Sequence, residues 1–245
     1  MDTVLYKATT GSQIDFVKQS LTANNLANIN TPGFKADLFQ AELQYMQSAN
    51  GEKEPFTVMK AAGIDATDGA IMTTGRDLDV AIQGEGWFAA LDSKGKEGYT
   101  RTGSFQLDGN GQLTTGSGKP VLGDGGPIAI PPAKEIHIAG DGTISIVPVG
   151  GDSKTLVTVD RLKLVKVDAK DLVRGPEGLL MTQSGKPGEV DGTIKVVSEA
   201  LEGSNVNSIE QMVNMIEFSR QFDSQMKMMD TIGQNDQKLA QLLQE

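Results

Sequence analysis

The chain has 245 residues, 38% of them hydrophobic, and a formal net charge of −10. The absence of cysteine excludes disulfides, thiolate metal ligands and cysteine nucleophiles, and the negative charge without a Lys/Arg cluster argues against nucleic acid as a partner. The length allows one or two domains, no apolar run is long enough for a membrane span, and the first residues lack the features of a cleaved secretory signal.

The amino-terminal segment is predicted to be a helix. An approximate stripe of apolar residues follows Asp2, a residue type that caps helices: Val4, Leu5, Ala8, Ile14, Val17, Leu21 and Leu26. Asparagine is a poor helix former, yet the end of this stripe contains Asn24, Asn25, Asn28 and Asn30. Their amides either satisfy backbone groups at a helix end buried between chains, or cap an ordinary solvated helix end.

A turn and a change of structure are predicted to follow this helix. Thr31-Pro32-Gly33 fits a type II turn, with proline at its second and glycine at its third position. The apolar residues of the next segment, which runs from Phe34 to about Ser48, favour a short helix. Beyond it, up to residue 75, the sequence lacks a clear period and is assigned as an extended connection.

Residues 76–203 are predicted to form a Gly-rich β domain. The chain places 27 of its 29 glycines between positions 33 and 203, which excludes long helices there. Alternating isoleucines around Asp141-Gly142 predict a tight hairpin, SFQLDGNGQL predicts a second one, and TLVTVDRLKLVKVD predicts a long strand or a strand pair. Trp87 and Phe88 are expected in the core.

The carboxyl-terminal segment is predicted to be a long helix. A Ser-x-x-Gln box at Ser208 and Gln211 indicates its start. Ten positions then alternate at spacings of three and four, as in a coiled coil: Met212, Met215, Ser219, Phe222, Met226, Met229, Gly233, Asp236, Ala240 and Leu243. Because strong leucine positions are few, we expect the chain ends to order fully only in an assembly.

The predicted fold class is α+β, with long N- and C-terminal helices that form a coiled-coil-like helical domain, and an inserted Gly-rich, mainly antiparallel β domain. The predicted domains are residues 1–33, the N-terminal helix of the helical domain; 34–75, a short helix and extended connection; 76–203, the β domain; and 204–245, the C-terminal helix of the helical domain.

Candidate catalytic groups are few. His137 is the only histidine, so a histidine metal cluster is excluded and a catalytic triad would depend on it alone. Its ring is expected on the solvent face of the hairpin, beside Ser145. Asp77 and Asp79 have the spacing of a carboxylate pair, but their alternation with apolar neighbours favours an exposed strand face. We predict no catalytic, cofactor-binding or metal-binding residues.

Two terminal motifs resemble those of the flagellar basal-body rod and hook proteins: ANNLANINTPGFKA near the amino terminus and LEGSNVNSIEQMVNMIEFSRQFDSQMKMMDTIGQNDQKLAQLL at the carboxyl terminus. Internal stretches such as TTGRDLDVAIQGEGWFAA resemble the β domain of the same family, so the resemblance covers nearly the whole chain. The opening MDTVLYKATTGS and the modest length are most similar to the proximal rod members, although Pro32 stands where a second threonine is common.

The resemblance implies a structural subunit of the proximal rod, with no enzyme activity and no cofactor, that helps to transmit torque for motility. It implies synthesis in the cytoplasm, export by the flagellar type III apparatus without a cleaved signal peptide, and a place in the periplasmic rod. The implied partners are that export apparatus and other rod subunits, proximal and distal. The alternatives are a distal rod or hook subunit of the same family and, outside the family, a β-rich enzyme or carbohydrate-binding domain.

The assembly interface is expected at the two ends of the chain, where both motifs combine amide and apolar side chains. The residues expected to form it are Leu21, Asn24, Asn25, Leu26, Asn28, Pro32, Gly33, Phe34, Asn205, Val206, Asn207, Met212, Met215, Ile216, Phe222, Met226, Met229, Ala240 and Leu243.

Overall fold

The computed structural model describes residues 2–47, 53–149 and 156–242, and side chains at 9–40, 63–149, 156–235 and 238. Within these residues the chain has an α-helix at each end, α1 (Asp2–Ala27) and α2 (Ser208–Leu242), and one 3-10 turn at Ala169–Asp171. The strands between the helices are β1 (Asp37–Gln47), β2 (Lys53–Ile64), β3 (Ile71–Thr73), β4 (Val80–Gln83), β5 (Trp87–Leu91), β6 (Glu97–Thr100), β7 (Phe105–Leu107), β8 (Leu113–Thr115), β9 (Leu122–Gly123), β10 (Gly126–Pro127), β11 (Ala133–Ile138), β12 (Thr143–Pro148), β13 (Val157–Arg161), β14 (Leu164–Lys166), β15 (Leu172–Arg174), β16 (Leu180–Thr182), β17 (Glu189–Val190), β18 (Lys195–Ser198) and β19 (Ala200–Glu202).

The chain divides into two units. Unit 1 comprises Met1–Ala27, Leu38–Ala62 and Asn207–Glu245, and unit 2 comprises Asn28–Asp37 and Gly63–Val206. Unit 1 therefore contains both helices and most of the two-stranded sheet of β1 and β2. Unit 2 contains the remaining strands.

The predicted fold class is wrong. The described part of the chain has two helices and mostly antiparallel sheets, and the helices share their unit with β1 and β2, so no helical domain of coiled-coil type stands beside an inserted β domain. A coiled-coil seam also requires buried apolar residues. None of the described α2 side chains is buried. Among the α1 side chains that the structure describes, from residue 9 onward, the buried ones are the polar Ser12, Asp15, Thr22 and Asn25.

The predicted short helix from Phe34 to about Ser48 is also wrong. Residues 37–47 form β1, which pairs with β2, and Ser48 lies outside the described residues. Part of the segment assigned as an extended connection forms β2. The spacing of a few apolar residues does not separate a short helix from a strand, and here the pairing with a second strand decides the structure.

Unit 2 is built from several antiparallel sheets. The largest has six strands in the order β15-β16-β6-β5-β14-β17, and a second has the order β11-β12-β13. Four two-stranded pairs, β3 with β19, β4 with β18, β7 with β8 and β9 with β10, complete the unit. Since β3 and β4 pair with β19 and β18, the end of the unit returns to its beginning.

The core of unit 2 lies on both faces of β5. Phe88 belongs to one buried cluster, where its ring meets Phe105 edge-on at 5.1 Å between centroids, and Trp87 and Ala89 belong to another. Successive side chains of a strand point to opposite faces, so a strand buried on both faces reads as the continuous apolar run WFAAL. The expected core positions of Trp87 and Phe88 are confirmed, at 3% and 0% exposure.

The predicted hairpins are confirmed. β11 and β12 flank Asp141-Gly142, where Gly142 has a φ of 86° and the Asp141 carboxylate accepts a hydrogen bond from the Thr143 N–H. β7 and β8 form the second hairpin. The predicted strand or strand pair at TLVTVDRLKLVKVD is two strands, β13 and β14, which belong to different sheets.

Candidate functional site

The two helices of unit 1 run antiparallel to each other. Thr9 Oγ1 lies 3.7 Å from Met229 Sδ, and the Lys18 ammonium lies 5.3 Å from the centre of the Phe218 ring. Residue numbers therefore rise along α1 while they fall along α2. Between these contacts the helices approach closely, since a Cβ added at Gly11 would lie 2.7 Å from an atom of the Gln225 side chain.

The buried side of α1 is polar. Ser12, Asp15, Thr22 and Asn25 are each at most 7% exposed, and their spacing of three, seven and three residues places them on one face of the helix. Burial raises the pKa of the Asp15 carboxyl, and nearby Lys18 partly offsets that rise. This face gains less from burial than an apolar one would.

The exposed side of α2 is apolar near its start. Ile209, Met212, Val213 and Ile216 are 74%, 52%, 57% and 56% exposed, and their spacing places them along one side of the helix. We call these four residues the outer stripe. Contiguous apolar surface of this kind marks an interaction site more often than scattered exposed residues do.

Other exposed apolar side chains lie further along the helices. Phe16 and Val17 of α1 are 62% and 39% exposed, and they line a shallow groove with Phe222 of α2. The partly buried residues of α2 beyond Ser208 recur along one side of the helix, mostly at spacings of three and four: Gln211, Asn214, Met215, Phe218, Ser219, Phe222, Gln225, Met229 and Ile232. Of the predicted ten positions, Met215, Ser219, Phe222 and Met229 lie on this side, while Met212, Met226 and Gly233 are exposed. The side chains of Asp236, Ala240 and Leu243 lie outside the described residues.

The start of α2 is capped by Asn207. Its side-chain oxygen accepts hydrogen bonds from the backbone N–H groups of Ile209 and Glu210, at 3.1 and 3.3 Å. The predicted capping box at Ser208 is therefore placed one residue too late. Asn207 takes the role because its amide oxygen reaches two of the unpaired N–H groups of the first turn.

The predicted turn after α1 is confirmed in unit 2. The Phe34 N–H donates to the Thr31 carbonyl at 3.2 Å, and Gly33 has a φ of 68°. The Thr31 hydroxyl donates to the side-chain oxygen of Asn28 at 3.1 Å. The Gly33 N–H donates to the backbone carbonyl of Glu202 at 2.7 Å, which connects the turn to β19.

A buried ion cluster lies beside this turn. Glu202 accepts hydrogen bonds from the Lys35 ammonium at 2.7 Å and from the Arg101 guanidinium at 3.0 Å, and these three side chains are 1–2% exposed. The Gly69 N–H also donates to Glu202, at 2.9 Å. Arg101 lies 5.1 Å from the centre of the Trp87 ring. Buried charges are tolerated when they are paired and hydrogen-bonded in this way.

Asn205 connects three segments of unit 2. Its side-chain oxygen accepts from the Ala36 N–H at 2.8 Å, and its side-chain nitrogen donates to the carbonyls of Asp65 and Thr67 at 3.0 and 3.1 Å. We call Lys35, Arg101, Glu202 and Asn205 the junction cluster. Sequence reasoning selected only Asn205 among them, because partners 101 to 167 residues apart leave no local pattern.

The predicted interface residues fall into three groups. Gly33, Phe34 and Val206 are buried in unit 2, together with Asn25 in unit 1. Leu21, Leu26, Asn28, Pro32 and Asn205 are partly exposed, and so are Met215, Phe222 and Met229, whereas Asn24, Asn207, Met212, Ile216 and Met226 are exposed. The side chain of Ala240 and all of Leu243 lie outside the described residues.

The described residues do not bring catalytic groups together. His137 pairs with Ser145 across the hairpin and is 57% exposed, as expected. The expectation of an exposed strand face is wrong for Asp79, which is 3% exposed and accepts hydrogen bonds from Thr74 and Arg76. Among the described residues, no group of three or more His, Asp or Glu side chains is placed to hold a metal ion.

No helix in the described ranges combines the length and the apolar character that crossing a membrane requires.

Glu85 and Lys166 form an ion pair of 2.8 Å beside a small recess lined by Trp87. The hydrogen bond between the two lowers the pKa of Glu85 and raises that of Lys166. The Glu85 carboxylate and the Lys166 ammonium are therefore paired with each other, as in a structural ion pair.

Three family models match the chain in its beginning, middle and end. Residues 5–35 match the flagella basal body rod protein model, residues 81–146 the flagellar hook protein FlgE/F/G D1 domain, and residues 197–242 the flagellar basal body rod FlgEFG protein C-terminal model. The first and last matches cover most of α1 and α2.

Known relatives match along nearly the full length. The flagellar basal-body rod proteins FlgF of Escherichia coli (strain K12) and Salmonella typhimurium are 41% and 38% identical, over 99% of both chains in each case. The flagellar basal-body rod protein FlgG of Bacillus subtilis is 33% identical over 97% of this chain and 98% of its own. The chain therefore belongs to the flagellar basal-body rod protein family, and it is a structural protein of the basal body rather than an enzyme.

Proposed function

We propose that this structural rod subunit is held in the rod through the outer stripe of α2, which neighbouring rod subunits cover. The observation that carries the proposal is the exposure of Ile209, Met212, Val213 and Ile216, each more than half exposed on one side of a helix. Burying such side chains stabilises a complex by about 25 cal/mol per Å² of apolar surface, before the cost of ordering the partners.

The composition of α1 supports the same proposal. Its buried face carries Ser12, Asp15, Thr22 and Asn25, while Phe16 and Val17 are exposed beside the groove with Phe222. A helix pair that buries polar groups and exposes apolar ones gains more stability by adding apolar contacts with other chains than by its own pairing. The exposed residues of the predicted interface, such as Met226 and Asn24, are further positions at which neighbouring subunits would bind.

The experiment replaces the outer stripe and a matched set of residues. One variant carries Ile209→Gln, Val213→Gln and Ile216→Gln, since glutamine is compatible with a helix. The control carries Val149→Gln, Leu156→Gln and Val190→Gln, three residues of unit 2 that are 60–66% exposed. Each variant is expressed in a strain that lacks the chain.

We expect the outer-stripe variant to be absent from purified basal bodies and to leave the cells non-motile, because the contact with neighbouring subunits is lost. The control variant should be incorporated and restore swimming. Circular dichroism of both purified variants verifies that the fold is retained. Normal incorporation of the outer-stripe variant would show that neighbours bind elsewhere.

The proposal also covers how the chain is exported and which part of the rod it occupies. The chain reaches the periplasm through the flagellar type III export apparatus, without a cleaved signal peptide, and occupies the proximal rod. The 41% identity to a FlgF protein over nearly the whole length supports the proximal position, and the absence of cysteine is compatible with passage through a narrow export channel.

Export and position are tested separately. Inactivating the export apparatus should keep the chain in the cytoplasm, and mass spectrometry of the chain from intact basal bodies should find its amino-terminal residues still present. Gold labelling of isolated basal bodies should place it at the proximal end of the rod. Loss of the first residues, or labelling next to the hook, would contradict the respective part.

A further inference from the structure

A recess in unit 2 is lined by residues from four parts of the chain. They are Ala66, the segment 85–87, Arg101 and the segment 166–169, and all of them belong to unit 2. The volume of the recess is about 390 Å³, at the lower end of the roughly 300–1,000 Å³ that small-molecule sites have. It is therefore large enough for a side chain or a small ligand.

Arg101 supplies the recess with a hydrogen-bond donor. The Nη1 of its guanidinium donates to Glu202 at 3.0 Å and its Nη2 donates to the Gly84 carbonyl at 2.5 Å. Its Nε is buried, and no acceptor lies within hydrogen-bonding distance of it among the residues that the structure describes. Because a buried donor without an acceptor is costly, a ligand with an oxygen acceptor is favoured in the recess that Arg101 lines.

Glu85 supplies an acceptor to the same recess. Its carboxylate is 82% exposed and forms the ion pair with Lys166, which leaves acceptor positions on both oxygens. The hydrogen bond from Lys166 is the main cause of the low pKa of Glu85, and the positive charge of Arg101 also contributes. Asp168, the other acid of the lining, already accepts a hydrogen bond from the Lys170 N–H, at 3.0 Å.

The charges around the recess disfavour an anionic ligand. The four charged residues of the lining are two acids and two bases, so their formal charges cancel: Glu85, Arg101, Lys166 and Asp168. Behind Arg101, Glu202 and Asp68 lie within 3.7 Å of Lys35, two acids against one further base. An anion would therefore meet more carboxylates than cations, and a neutral ligand avoids this repulsion.

The rest of the lining is apolar or small. Trp87 is 3% exposed, and Val167 and Ala169 pack against the same buried cluster. Ala66 and Gly86 leave room beside them. These walls suit a short aliphatic stem that carries the polar end of a ligand between Arg101 and Glu85.

We infer that this recess binds a primary amide, whose carbonyl accepts from Arg101 Nε–H and whose NH₂ donates to the Glu85 carboxylate. In the rod the amide belongs to an asparagine or glutamine side chain of a neighbouring subunit, a part that rests on the proposed function. Rod subunits of this sequence are rich in such groups: seven glutamines lie between residues 206 and 245, and Gln221 and Gln234 are exposed. The binding itself is a property of the free chain.

The experiment titrates the full-length free chain with acetamide and, separately, with acetate at constant ionic strength. Heteronuclear NMR follows the Arg101 Nε–H and the indole N–H of Trp87, which is the single tryptophan of the chain. Ala66→Leu narrows the recess from an exposed position, and Ala129→Leu, at an exposed alanine elsewhere in unit 2, is its control. Glu85→Ala removes the acceptor, and Glu135→Ala, in β11, is the matched loss of a carboxylate.

We expect saturable shifts of both resonances with acetamide, and an affinity about fivefold or more above that for acetate, because only the neutral ligand avoids the surrounding carboxylates. Ala66→Leu should lower the acetamide affinity by about fivefold or more, since the recess is partly filled. Glu85→Ala should reverse the order of the two ligands, because the lining then has a net positive charge. Ala129→Leu and Glu135→Ala should behave as the parent does.

Four results would overturn the inference: no saturable shift with acetamide, an equal or higher affinity for acetate in the parent, unchanged binding in Ala66→Leu, or equal losses in the two controls. If Ala66→Leu does not fold, the order of the two ligands in Glu85→Ala decides.

The outer-stripe variant separates this inference from the proposed function. It retains every residue of the recess, so it should bind acetamide as the parent does, whether or not it enters basal bodies. Failure of the titration would remove the recess as a binding site and leave the role of the outer stripe intact.

Discussion

Gly33 lies against the backbone between Arg101 and Thr102 so closely that a Cβ at position 33 would be 2.4 Å from the Arg101 carbonyl. The φ of Gly33 is 68°, in the left-handed region that side chains disfavour. Two independent reasons therefore require glycine at this turn: its conformation and the close approach of a second backbone.

The substitution Gly33→Ala should destabilise unit 2 strongly. We expect a loss of at least about 3 kcal/mol, from backbone strain and from displacement of a neighbouring backbone. Urea unfolding followed by Trp87 fluorescence measures the loss.

Gly75→Ala is the matched control for this change. Gly75 has a φ of 70° but has nothing within 4 Å of an added Cβ, so the control reports the conformational strain alone, about 1 kcal/mol. Equal effects of the two substitutions would show that the close approach to Arg101 costs nothing.

Asn207→Ala should weaken the start of α2 by about 1 kcal/mol, because two N–H groups of the first turn lose their acceptor. Hydrogen exchange at the amides of Ile209 and Glu210 should accelerate accordingly. Asn207→Asp retains the acceptor and should exchange as slowly as the parent. Ser208→Ala should have little effect, and a large effect there would favour the capping box instead.

Local signals predicted local structure well. A few adjacent residues were enough to predict three features: the glycine with positive φ at the turn after α1, the Asp-Gly hairpin of β11 and β12, and the buried strand β5 with its continuous apolar run. The helices at the two ends follow from the distribution of glycine and proline, although their first and last residues do not.

The features that sequence reasoning missed depend on distant partners. Lys35 and Glu202 are 167 residues apart. A lysine or a glutamate is predicted to be exposed unless a partner for its charge is known, and the sequence does not show that the two residues meet. The distant partner of Asp79 is β19, where the Ala200 N–H donates to the Asp79 carbonyl, and the alternation of residues around Asp79 does not predict that contact. The polar buried face of α1 contradicts the usual reading of an amphipathic helix, in which the apolar residues face inward.

Glu177 should titrate far below an ordinary glutamate. Hydrogen bonds from Lys119 and from Ser93 lower its pKa to about 2. The stabilisation from these contacts is present above the ordinary value of 4.5 and is lost as the pH falls towards about 2.

An NMR titration of the Glu177 carboxyl carbon in the full chain measures this midpoint. Lys119→Met should move it up towards 4.5, whereas Lys94→Met, a change at the exposed lysine next to Ser93, should leave it in place. A parent midpoint near 4.5 would show that the contacts with Lys119 and Ser93 do not form in solution.

The pH dependence of stability that Asp15 gives to the helices of unit 1 should have the opposite sign to that of Glu177. Burial raises its pKa above the ordinary 3.8, so the folded state binds the proton more tightly than the unfolded state, and stability falls as the pH rises above 3.8. At neutral pH the charged carboxylate is a cost, and Asp15→Asn should stabilise the helix pair by about 0.5–1 kcal/mol. Urea unfolding followed by circular dichroism at neutral pH measures the gain.

Two comparisons separate the charge from the packing of the new amide. The gain from Asp15→Asn should disappear below pH 3.8, where the parent carboxyl is protonated in both states. Asp223→Asn, at an exposed position of α2, should give no gain of this kind at either pH. An undiminished gain at acid pH would mean that asparagine simply packs better against α2.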